Sequence, residues 1–169
     1  MKYNELLEKV TFRDNFMFQS VMQSKDICQE VLEKILGFKL SKIAFPEIEK
    51  SQSVGFLSHS VRFDVYVESE DGKAFDIEMQ NVNHIGLLKR ARYYHVMLDR
   101  SSLDKGEENY GKMRDGYVIF ICNFPLFDHS SKIYTVEKAI RGKPNIPYED
   151  GEKTIFLCTE GEDGDASIE

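Results

Sequence analysis

Two stretches of strict two-residue periodicity, separated by a tight-turn signal, limit what this chain can fold into more than any other feature. In Ser60–Val67, the apolar Val61, Phe63, Val65 and Val67 alternate with Arg62, Asp64 and Tyr66. After Asp71-Gly72, Phe75, Ile77 and Met79 alternate with Asp76, Glu78 and Gln80. Successive side chains of a strand point to opposite faces, and Asp-Gly supplies the positive φ that short hairpin turns need. The pattern predicts a β-hairpin with one apolar and one polar face, inside a period-two region running from Ile43 to Met79.

The flanks have a different rhythm. Over the first 40 residues Phe16, Val21, Ile27, Val31, Leu32, Ile35 and Leu36 recur at helical spacing. Thr11 and Asp14 are candidate N-caps, Ser24 and Asp26 mark a break and a second start, and Gly37 is a C-terminal stop. A further helix is expected from about His84 to Leu103, with Leu87, Leu88, Ala91, Tyr94 and Leu98 as its apolar stripe. Lys89, Arg90, Arg92 and Arg100 lie mostly outside that stripe. The unbroken apolar run Tyr117–Cys122 predicts a strand buried on both faces, and Lys132–Val136 and Thr154–Cys158 are shorter strand candidates. This order of elements predicts a mixed α/β domain.

A chain of 169 residues with 41% apolar and 30% charged residues is long enough for one domain with a core. No apolar run reaches the roughly 20 residues of a membrane span, and the N-terminus lacks a signal-peptide core, so no membrane partner and a cytoplasmic location are expected. Cys28, Cys122 and Cys158 are far apart and form no CxxC pair. They are expected to be small, buried or half-buried apolar residues rather than zinc ligands. The net charge of −7 argues against a surface that coats nucleic acid indiscriminately. It leaves room for a local basic strip beside an acidic site. Residues 160–169 are acidic and rich in small residues, and read as a mobile tail.

The polar face of the hairpin carries Arg62, Asp64, Asp76, Glu78 and Gln80. Acidic residues are ordinary on a solvated strand face. Here, however, carboxylates come from neighbouring strands, where they repel one another unless a cation sits between them. Oxygen donors of this kind suit Mg²⁺ or Mn²⁺ rather than zinc. Lys89 and Arg92 are balanced between phosphate contacts and a solvated helix face, and Arg90 falls to the solvated face. Tyr93 and Tyr94 read as packing residues. His59, His84, His95 and His129 share no metal-ligand spacing, and no nucleophile triad, P-loop or dinucleotide motif is present.

Asp64, a hairpin, then Glu78-Met79-Gln80 resembles the D…(D/E)-x-K signature of PD-(D/E)xK nucleases, with glutamine at the lysine position. The segments around it are more specific. Val61–Val67, Asp76–Gln80, Arg90-Ala91-Arg92-Tyr93-Tyr94, Tyr117–Cys122 and the opening Thr11–Phe18 resemble the Rpn-type family of recombination-promoting nucleases or transposases. The resemblance runs from about Thr11 to Gly161. It implies a restriction-endonuclease-like mixed β-sheet flanked by α-helices, and a metal-dependent DNA endonuclease associated with recombination or mobile elements. Asp64 and Glu78 would bind Mg²⁺ or Mn²⁺, the backbone carbonyl of Met79 would add a ligand, and Gln80 would orient the attacking water. Glu49 is an accessory candidate from an earlier element, as are Arg62 and Asp76; Lys89 and Arg92 are the candidate DNA contacts. Ser58-His59-Ser60 replaces a Gly-Lys-Gly common in relatives, and Asn15 stands where relatives often have an acid. Relatives also usually continue past the Thr154–Cys158 strand, so residues 1–169 are expected to be a single domain truncated at its C-terminus. Assembly into a homo-oligomer is left open. The rival reading is a catalytically silent nuclease-fold module that binds protein or nucleic acid. A phosphatase-like hydrolase using the same carboxylates has less support.

Overall fold

The computed structural model describes residues 11–52, 61–103, 105–127 and 131–160. The readings made on residues 1–10, on Ser58-His59-Ser60, on His129 and on the tail beyond Glu160 lie outside the described residues. Helices α1 (Asn15–Met22) and α2 (Lys25–Leu36) are followed by strands β1 (Glu47–Gln52), β2 (Val61–Glu68) and β3 (Lys73–Gln80). Then come helix α3 (Leu87–Arg100), a 3-10 turn at Tyr110–Lys112, and strands β4 (Asp115–Cys122), β5 (Ile133–Val136) and β6 (Glu152–Cys158). The strands form one sheet in the order β1-β2-β3-β4-β6-β5. β3, β4 and β6 run parallel at its centre, and β1, β2 and β5 add antiparallel pairings toward the edges. This is the mixed α/β architecture of the restriction-endonuclease-like class expected above.

Local chemistry explains the helix ends. Asp14 and Ser24 precede α1 and α2 in extended conformation, and Gly37 ends α2 at φ +75, where a side chain would be strained. The Asp14 carboxylate does not cap α1; it accepts the Thr11 N–H at 2.7 Å. The buried stripe of this pair is Phe18, Met22, Cys28, Leu32 and Ile35, whereas Phe16 and Ile27, expected within it, are exposed. α3 is shorter than expected at both ends; Gly86, at φ +92, starts it at Leu87. Its buried residues include Met97 and His95 beside Leu87, Ala91, Tyr94 and Leu98, while Leu88 is exposed.

The sheet separates two cores. One, under α1 and α2, contains Val65, Val67, Phe75, Ile77 and Met79; the other, under α3, contains Phe63, Tyr66, Tyr94, Phe120 and Phe156. β4 lies between β3 and β6 and sends Ile119 to the first core and Phe120 to the second, as its unbroken apolar run requires. All three cysteines are free and buried.

The hairpin departs from expectation twice. Its polar face is solvated only in part: on β3 Asp76, Glu78 and Gln80 are all buried on the α3 side of the sheet, while on β2 Asp64 is half-buried and Arg62 exposed. Nor do the four apolar residues of β2 share a face. Val61 and Phe63 join the α3 core, and Val65 and Val67 the opposite one. Phe63 and Tyr66 consequently stack at 5.9 Å on the same side. The alternation breaks at Asp64. The β1–β2 register steps from Ile48–Val65 to Lys50–Phe63 without a Glu49–Asp64 pair, and Glu49 sits at φ +54, a strained conformation for a residue with a side chain.

Candidate active site

The break in the ladder creates the site. The β2–β3 register runs from Glu68–Ala74 to Val65–Ile77. Beyond it, side chains replace carbonyls as acceptors: the Asp64 N–H donates to Glu78 Oε1 at 2.9 Å, and the Met79 N–H to Asp64 Oδ2 at 3.2 Å. Each carboxylate is thereby fixed through one oxygen. Both border a groove of about 920 Å³ that Met79, Gln80 and Arg62 also line.

Arg90 closes the buried side of this groove. Its Nη2 lies 2.6 Å from Glu78 Oε2 and also donates to the Tyr94 hydroxyl at 2.7 Å, while Nη1 donates to Gln80 Oε1 at 2.8 Å. Gln80 spends its own Nε2–H on the Met79 carbonyl at 3.0 Å. The guanidinium rests over the Tyr94 ring, 4.8 Å from its centroid. Arg90, expected on a solvated helix face, is therefore part of the site, and Tyr94, expected only to pack, adds a hydroxyl to it. The position was readable. Arg90 follows Leu87 by three residues and precedes Tyr94 by four, which places it inside the buried helical stripe.

The site gathers three carboxyl groups, Asp64, Asp76 and Glu78, around the half-buried Arg90. Burial pushes the Glu78 carboxyl up to about 7, with the charge of Asp64 adding to the effect and Arg90 opposing it. Burial also raises Asp64, against the pull of the Met79 N–H, Arg90 and Arg62. Asp76 is fully buried, and neither of its oxygens has a hydrogen-bond partner among the described residues. Burial first, then the charges of Glu78 and Asp64, hold it well above the ordinary carboxylate range.

The remaining predicted residues divide. Arg62 lines the groove and pairs at 3.3 Å with Glu49, the strained residue of β1. Asn15 and His84 line the groove as well. Lys89 and Arg92 are exposed on α3 and do not line it; Arg92 borders a smaller cavity of about 320 Å³ near His95. His95 lies away from the carboxylates, its Nε2 2.8 Å from Thr154 Oγ1.

Among the described residues no group of three or more His, Cys, Asp or Glu side chains is arranged to hold a metal ion. The donors at the groove are Asp64, Glu78 and the Met79 carbonyl. Mg²⁺ commonly takes one or two carboxylates and fills its other positions with water and substrate phosphate oxygens. The hard-oxygen set and the adjacent open groove fit such an ion. No helix among the described residues is long and apolar enough to cross a membrane. No curated protein and no solved structure matches the chain. A family model described as PD-(D/E)XK nuclease family transposase matches residues 11–157.

Proposed function

Since the chain belongs to the PD-(D/E)XK nuclease family transposases, we propose that it is a Mg²⁺- or Mn²⁺-dependent endonuclease that hydrolyses phosphodiester bonds in DNA. The observation that carries this reading is the replacement of the β2–β3 ladder by two carboxylates at the head of an open groove. Asp64 and Glu78 would hold the ion, with the Met79 carbonyl as a further oxygen. A bound divalent ion lowers the pKa of a coordinated water and offsets the charge that builds on the phosphorus oxygens. Gln80 carries no charge, so its part is to position that water by hydrogen bonding. Arg62 at the groove wall and Lys89 and Arg92 on the exposed side of α3 are the cations offered to the DNA backbone.

One observation favours the silent-module reading instead. Arg90 already neutralises Glu78 and occupies Gln80 without any metal. Cleavage of supercoiled plasmid separates the two. The nuclease reading expects nicked or linear DNA with Mg²⁺ or Mn²⁺, none with chelator, and none from Asp64→Ala. Absence of cleavage together with absence of Mn²⁺ binding at millimolar concentration, with DNA present, leaves the silent module.

A further inference from the structure

The same guanidinium that stabilises the metal-free site stands in the way of the metal. Glu78 Oε2, the oxygen not bound to backbone, is 2.6 Å from Arg90, and a divalent ion on that oxygen would face the guanidinium at close range. Gln80 has both amide atoms committed, one to Arg90 and one to the Met79 carbonyl. While Arg90 stays where it is, its guanidinium holds both Glu78 Oε2 and Gln80 Oε1.

Three features suit Arg90 to move. Its side chain is 35% exposed where that of Glu78 is 1%, so the guanidinium lies at the boundary between the buried carboxylates and open solvent. It sits in the first turn of α3 beside Lys89, and that turn contains no acidic residue. Cations there oppose the positive end of the helix dipole, so the position favours whatever anion lies in front of it. Its other contacts are the ring faces of Tyr94 and Phe120, 4.8 and 5.7 Å away, which support a planar cation over a range of orientations.

We propose that Arg90 is the exchangeable cation of the site: it neutralises Glu78 and holds Gln80 while no divalent ion is bound, and it turns into the groove to bind a phosphate of the DNA once the ion takes Glu78. It thereby supplies the positive charge that Gln80 lacks. Arg90 exchanges only hydrogen bonds in this step, and its guanidinium stays protonated throughout. The inference rests on the metal-dependent reading given above.

A permanent structural ion pair and an exchangeable cation make opposite demands on metal affinity. The test uses the full chain with Arg90→Met and Arg90→Lys, with Mn²⁺ binding measured by calorimetry without DNA. Duplex binding is followed by anisotropy across a salt series with Ca²⁺ as the divalent ion. Removing a competing charge at close range should tighten Mn²⁺ binding by Arg90→Met about tenfold. Its duplex affinity should fall, with the slope of log K against log salt smaller by about 0.9, the loss of one phosphate contact. Arg90→Lys should keep the wild-type salt slope and serves as the folded control, judged by thermal melting, should the methionine variant not fold. It should also bind Mn²⁺ more tightly than wild type, because lysine cannot hold Glu78 and Gln80 with a fork. Mn²⁺ affinity equal to or below wild type in the folded variants, or an unchanged salt slope in Arg90→Met, overturns the proposal while wild-type binding persists. Failure of wild type itself to bind Mn²⁺ overturns the metal-dependent reading and this inference with it.

Discussion

At its turn the β2–β3 hairpin is held by ordinary means. The Ser69 N–H donates to the Lys73 carbonyl at 2.9 Å, Gly72 takes φ +84, and Asp71 pairs with Lys73 and accepts the Ser41 hydroxyl at 2.7 Å. At its open end the same two strands give up carbonyl acceptors for Asp64 and Glu78 and bury the result against α3. Both ends carry carboxylates. At the turn, Lys73 and the Ser41 hydroxyl compensate Asp71; at the open end, Asp64, Asp76 and Glu78 gather around the half-buried Arg90. The difference teaches that an acidic residue acquires chemical potential when the fold withholds its compensation. Sequence acidity alone does not distinguish the two ends.

The sharpest way to break this comparison is to remove one carboxylate from each end. Asp64→Ala should abolish Mn²⁺ binding by calorimetry and reduce plasmid cleavage to background, because it removes a proposed ligand and the acceptor of the Met79 N–H. Asp71→Ala should leave both intact and cost less than about 1 kcal/mol in urea melts, as exposed ion pairs do. Equal loss of cleavage in the two variants would erase the distinction.

A pH series asks whether compensation is withheld as described. Carboxyls raised above their ordinary values keep protons that the unfolded chain has lost. Metal-free stability should therefore fall as pH rises from about 4.5, the ordinary glutamate value, through about 7, where Glu78 titrates. For Glu78 the loss is on the order of 3 kcal/mol at 1.36 kcal/mol per pH unit. Saturating Mn²⁺ should restore it at pH 8, and Asp76→Asn should flatten the slope without affecting the turn. A metal-free stability that is level or rising over this window counts against the raised Glu78 carboxyl.

Smaller effects sharpen the picture. Gly72→Ala meets nothing within 4 Å and should cost about 1 kcal/mol from the left-handed backbone alone, with cleavage unchanged. Lys89→Gln and Arg92→Gln should each change stability by under about 0.5 kcal/mol. Each should lower the salt slope of duplex binding by about 0.9 if it meets a phosphate. Unaltered salt slopes would confine DNA contacts to the groove itself.

The hairpin, its turn, the buried β4 and the mixed α/β class could all be read from periodicity, because each depends on which residues repeat at which spacing. Asp64, Glu78 and Gln80 were singled out because their order resembles a nuclease signature, not because alternation distinguishes them from solvated residues. The flip of Val61 and Phe63 to the α3 core was not legible. It depends on Glu49 and Asp64 losing their ladder pairing, a three-dimensional event that leaves alternation in the text untouched. Arg90 was missed for another reason. Its charge was weighed more heavily than its place between Leu87 and Tyr94, and a buried acid opposite it could not be known before α3 was docked. The burial of the polar face follows the same logic: nothing in Asp76-Ile77-Glu78 announces that a helix will cover it.

The separation of opposite charges along the chain also sets an order of assembly. Asp64 and Glu78 lie 14 residues apart within one hairpin, a unit that closes on a timescale of about 1–10 μs. Their cation belongs to α3, whose docking accompanies the parallel pairing of β4 with β3, a slower non-local event. If the hairpin closes first, the carboxylates meet before Arg90 arrives. Electrostatic repulsion at that stage would then oppose closure of the candidate site. Mild acid or a few millimolar Ca²⁺ should accelerate refolding in stopped-flow measurements, and Asp64→Asn should remove most of that acceleration.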